Sequence, residues 1–78
     1  MPLYFIHIHE GGEVIRDTEG RDFPDLTAAR DEAIASARSI VADSARVGIL
    51  PLSHQIAIED EAGQIAMAIT FADAVTFQ

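Results

Sequence analysis

His7 and His9 are the residues whose type and spacing most directly offer chemistry in this chain. Imidazoles at positions i and i+2 of an extended segment project from the same face. That arrangement can give a metal ion two ligands at once. A third ligand has to come from a neighbouring strand, and Glu59 or His54 would supply it. The plainer reading is a pair of half-exposed histidines on an open sheet face, with His54 turned to the other side beside Ile56. The plainer reading is adopted: no metal and no cofactor is assigned, and His7 and His9 stand only as candidates. No catalytic residue is assigned either. Ser36, Ser39, Ser44 and Ser53 have no nucleophile elbow or local base around them. Glu10, Glu13, Asp17, Glu19 and Asp22 crowd one region without the spacing of a calcium loop and read as solvated turn residues. Gly11–Gly12 and Gly20 are too isolated to cradle a phosphate, and the chain has no lysine to serve one.

The elements that position these residues follow from periodicity. Leu3–His9 alternates as a strand, with Tyr4, Ile6 and Ile8 on one face and Leu3, Phe5, His7 and His9 on the other. Glu10–Glu13 supplies a glycine turn into a short second strand, Val14–Asp17. Thr18–Asp22 reads as a loop. Pro24 disfavours helix at Phe23, and Asp25 is a good N-cap. The helix it launches runs to about Arg46, with Leu26, Ala29, Ala33, Ala37, Ile40 and Val41 on one stripe. Gly48 suits a helix stop. His54–Glu59 and Gln64–Phe71 alternate as the third and fourth strands around the loop Asp60–Gly63. In the fourth, Ile65, Met67, Ile69 and Phe71 are expected on one side and Ala66, Ala68 and Thr70 on the other.

The expectation is a single α+β domain over residues 1–78. Its order is β-β-α-β-β, a four-stranded sheet with one helix packed on one face. The first and fourth strands are the most apolar, which favours the order 2-1-4-3 with a parallel central pair. The order 2-1-3-4 is the alternative.

Five arginines against 13 acids leave a formal charge of −8. Such a field repels phosphate backbones, so nucleic-acid binding is not expected. An acidic face does suit a basic protein partner. No apolar run reaches the roughly 20 residues of a membrane helix, and the first residues lack the pattern of a signal peptide. The chain has no cysteine, which fits a reducing compartment. The expected setting is cytoplasmic, away from membranes.

Pro2–x–Tyr4–Phe5–x–His7, Glu10–Gly11, Asp17–x–Glu19–Gly20 and Phe23–Pro24–Asp25–Leu26–x–x–Ala29–Arg30–x–x–Ala33 resemble, in this order, a family of small bacterial proteins catalogued as a domain of unknown function. Asp60–Glu61–x–Gly63 and Phe71–x–Asp73–Ala74 continue the resemblance over nearly the whole chain. Phe23 stands where that family more often has leucine. The resemblance implies a free-standing bacterial cytoplasmic protein and no established activity.

The functional expectation is a non-catalytic protein-interaction or regulatory module. One helix covers one face of a sheet, so the other face is expected to hold a homodimer interface of Leu3, Phe5, His7, Ala57, Ala66 and Ala68. Phe5 is expected near its centre, with His9 and Thr70 on the same face. A tail folded over that face through Val75 and Phe77 is the competing arrangement. The alternative function is a metal-binding protein or metal-dependent enzyme using His7 and His9.

Overall fold

The computed structural model describes residues 1–75, and the expected packing of Phe77 lies outside them. Seven elements follow in order: β1 (Leu3–Glu10), β2 (Glu13–Ile15), β3 (Arg21–Asp22), α1 (Leu26–Ala45), β4 (Gln55–Glu59), β5 (Ile65–Thr70) and α2 (Phe71–Ala74). The class is α+β: an antiparallel five-stranded sheet and one main helix.

The strands run β2-β1-β4-β5, with β3 also paired to β1. This corrects the expected order 2-1-4-3: the third predicted strand lies beside the first, and the fourth lies outside it. Every pairing is antiparallel. Burial on both faces explains the choice. Ile56, Ala57 and Ile58 are all buried in β4, whereas Ile65, Ala66 and Ala68 of β5 are exposed. Apolar content had favoured β5 for the centre, but a central strand needs both of its faces covered, and β4 has that.

A register shift falls between Ile58 and Glu59, where Met67 pairs with Ile58 but Ile65 pairs with Glu59. Ala66 is therefore an extra residue, as in a β-bulge. Directly paired residues share a face, so Ile65 lies on the open face with Glu59 and Phe5 rather than on the helix side. Its side chain is 56% exposed. The expected alternation holds for Met67 and Ile69 and is reversed at Ile65.

The helix meets its expectation closely. Asp25 accepts from the Ala28 N–H at 2.9 Å as the N-cap. Ala29, Ala33 and Ala37 are buried, and Leu26, Ile40 and Val41 pack beside them. At the other end Gly48, at φ 84°, donates to the Ala45 carbonyl while Ile49 donates to Ser44. That pair of bonds is a Schellman motif. The alanine stripe lets α1 lie close over Ile56, Ile58 and Phe71, the largest fully buried side chains.

Two short elements were not expected. β3 sits inside the predicted loop. α2 takes over Phe71 from the predicted fourth strand, capped by the Thr70 hydroxyl, which accepts from the Asp73 N–H. Arg38 Nε donates to the Ala74 carbonyl at 2.7 Å and ties α2 to α1. Among the described residues, no helix is long and apolar enough to cross a membrane.

Candidate functional site

β1 carries His7 on the face away from α1, paired with Ala57 of β4. A histidine there would normally meet water, yet His7 is only 5% exposed. The segment between β2 and β3 accounts for this. β2 ends at Ile15 rather than at the expected Asp17, because Arg16–Gly20 leaves the ladder and β3 rejoins it at Arg21.

Alternate residues of a strand turn their backbone groups to the same edge. Along one edge of β1, Ile8 pairs with Ile15, the Ile6 N–H donates to Asp17 Oδ2 at 3.2 Å, and the Pro2 carbonyl accepts from Phe23. Asp17 thus supplies with its side chain the acceptor that a missing strand residue would have supplied. Its Oδ1 also accepts from the N–H groups of Glu19 and Gly20, at 3.1 and 2.9 Å. Burial pushes the Asp17 carboxyl up. The bonds from Gly20, Ile6 and Glu19 outweigh that and bring it below the usual aspartate value.

The Asp17 N–H donates to His7 Nδ1 at 3.0 Å. A backbone N–H can only donate, so Nδ1 accepts and the neutral ring carries its proton on Nε2. That proton meets Glu59 Oε1 at 3.0 Å. Glu59 pairs with Phe5, so it reaches His7 diagonally across β4 and β1. Both ring nitrogens are therefore spoken for. The arrangement holds the loop against the sheet, and it leaves His7 no lone pair for a metal ion or for a substrate proton.

The other candidate ligands are apart from it. His9 is half-buried on the same face, paired with Val14 and Gln55. His54 lies on the core side, its ring edge-on to Phe71 at 5.6 Å between centroids. Its Nδ1 is buried without a partner. Glu59 reaches His7, but as a hydrogen-bond acceptor. Among the described residues, no group of three or more histidine, aspartate or glutamate side chains is placed to hold a metal ion. Of the expected interface residues, His7 and Ala57 are buried, Leu3 and Phe5 are half-buried, and Ala66 and Ala68 are exposed. Phe5 lies under the loop: a Cβ built on Gly20 would come within 2.9 Å of its Cε1.

Asp17 is the residue that sequence reading undervalued, as one solvated acid among five. The signal was Asp17–x–Glu19–Gly20, an aspartate whose side chain caps its own turn two and three residues on. The far side of the same loop forms one wall of an open cavity of about 520 Å³. Ile6, Ile8 and Phe23 make its floor, and Glu32 and Ser36 of α1 its opposite wall. Arg21 spans it, 3.5 Å from Glu32 and 4.8 Å above the Phe23 ring. The ion pair is exposed and worth little alone.

No curated protein and no solved structure matches the chain. A family model described as a domain of unknown function (DUF6894) matches residues 3–72, and the chain belongs to that family.

Proposed function

We propose that the chain is a non-catalytic interaction module of the cytoplasm that associates with a second copy of itself. The contact lies on the β5 side of its open sheet face. The observation that carries this is the surface of β5. Ile65–Thr70 is an outer strand without a charged residue in a chain of net charge −8. Ile65, Ala66 and Ala68 on it are exposed. Uncharged apolar surface collected in one place is what monomers avoid and interfaces use. The β1 side of the same face is less suited, because the Arg16–Gly20 loop already occupies it. A domain of this size without disulfides also gains stability by associating. The absence of cysteine supports the cytoplasmic setting.

Sedimentation velocity tests the reading. A dimer is expected at tens of micromolar, a range of about the concentration that micromolar affinities require. A chain that sediments as a monomer there overturns it.

A further inference from the structure

His7 has two attachments, and only one of them survives a change of charge. In the neutral ring Nδ1 accepts from the Asp17 N–H at 3.0 Å, and the Nε2 proton goes to Glu59 at 3.0 Å. An imidazolium carries a proton on each nitrogen and has no acceptor. The bond to Glu59 therefore remains when the ring is charged, and it gains from the opposite charge. The bond from Asp17 does not remain. Two N–H groups would point at each other, and no rotation of the ring restores a lone pair.

The charges around the ring favour its protonated form. Glu59 approaches from β4 and Asp17 from the Arg16–Gly20 loop. Asp22 of β3 lies on the same face, opposite Leu3 and further along β1. Against these carboxylates stands His9, two residues on along β1. Ala57 is directly across in β4, with Ala68 of β5 beyond it, and neither is charged. Arg16 and Glu19, the other charged residues of the loop, line the cavity on its far side, and α1 covers the opposite face of the sheet. Burial opposes the charge. A loop that lifts and admits water relieves that opposition, so proton uptake and lifting favour each other.

The carboxylate of Asp17 is a separate attachment. It accepts from the N–H groups of Ile6, Glu19 and Gly20, and none of these bonds depends on the charge of the ring. We propose that the Arg16–Gly20 loop is a proton-sensitive cover over the β1 side of the open face, detached by acid in two stages. In the first, His7 takes up a proton and the Arg16–Asp17 peptide turns off the ring. His7, 5% exposed when covered, is then open to water, while the carboxylate still holds the loop to the edge of β1. In the second, at lower pH, the carboxyl itself takes up a proton and the edge bonds go. The cover lies apart from the β5 surface, so this inference stands whether or not the chain associates.

NMR of the ¹⁵N-labelled chain tests it, from about pH 8 to about pH 3, a span that covers imidazoles and carboxylates. Long-range ¹H–¹⁵N correlations read each histidine ring directly. At the top of the range His7 is expected as the neutral tautomer with its proton on Nε2. As the ring charges, the Asp17 amide proton is expected to shift upfield with the same midpoint. Its protection, corrected for the intrinsic pH dependence of exchange, is expected to fall several-fold, up to about tenfold, as the loss of one hydrogen bond implies. The Ile6 amide is expected to keep its protection through that step and to lose it only with the Asp17 carboxyl, below 3.8. In His7→Gln the first transition of the Asp17 amide is expected to vanish, and in His9→Gln to persist.

A His7 ring that stays neutral until the chain unfolds overturns the proposal. So does a ring that charges while the Asp17 amide keeps its shift and protection. Simultaneous loss of protection at Asp17 and Ile6 overturns the two stages. A first transition that survives in His7→Gln, or disappears in His9→Gln, assigns the proton to another group and overturns it as well. Should His7→Gln not fold, the wild type and His9→Gln decide by themselves.

Discussion

The backbone N–H of Asp17 donates to Nδ1 of His7 at 3.0 Å, and this bond sets the histidine's tautomer. Nε2 is left as the donor to Glu59. The same residue that orients the ring from its main chain stitches the β2–β3 connection to β1 through its carboxylate. The cluster is thus a clasp on the edge of the sheet.

Asp17→Asn places an amide N–H₂ where a carboxylate oxygen accepts. One backbone N–H is left without an acceptor, which costs on the order of 1–3 kcal/mol. The folded carboxyl titrates below its ordinary value of 3.8. Its contribution to stability is therefore full above about pH 4 and is lost as pH falls through the folded value. Urea titrations of both proteins are expected to show a gap at pH 7 that narrows below about pH 4. A gap that persists undiminished to low pH contradicts the ionised clasp.

Gly20 and Gly11 both have positive φ, 72° and 63°. Alanine at either is strained by about 1–3 kcal/mol. At Gly20 the new methyl also meets Phe5 and Leu3, whereas nothing lies within 4 Å at Gly11. Thermal melts are expected to rank Gly20→Ala as the more damaging. Equal losses would remove the contact between the loop and Phe5 from the account.

Ala33 and Ala37 are 0% and 1% exposed under α1. Leucine at either overpacks the helix–sheet layer, at about 1–3 kcal/mol. Ala35, exposed on the same helix, is the control, expected to change stability by less than about 0.5 kcal/mol. If the buried and exposed substitutions behaved alike, the helix face would be misassigned.

The Asp25 cap is expected to contribute about 0.5–2 kcal/mol, read as the loss in Asp25→Ala. Its bond to the Ala28 N–H is exposed, so the effect should come from the helix end alone. A denaturation midpoint that does not move argues that water serves the first turn as well.

The helix was legible because its cap, its alanine stripe and its closing glycine are local signals that agree with one another. The strand order was not. Counting large apolar residues ranks β5 above β4, but the centre of a sheet goes to the strand that is covered twice. The second cover for β4 includes the diagonal pair Glu59–His7, a contact between distant positions. The reversal at Ile65 has the same origin, since a bulge is set by pairing and leaves the alternating pattern intact. α2 was legible in principle: Thr70–x–x–Asp73 has the spacing of a capping box, hidden at the end of an apolar run. The clasp was half-legible, its turn from Asp17–Gly20 and its histidine from nowhere nearby.

The central place of β4 also bears on how the chain acquires its structure. His7 and Glu59 are separated by 52 residues, and β1 finds its inner neighbour only after α1 and the following connection are made. Closing so long a loop precedes the contacts that reward it, which slows folding. As the chain leaves the ribosome, β1 emerges with a short hairpin partner and waits for β4 to arrive. A nascent chain halted within α1 therefore has its first strand exposed on the inner edge, open to capture by any other unpaired strand. The clasp at Asp17 keeps only the outer edge occupied during that interval.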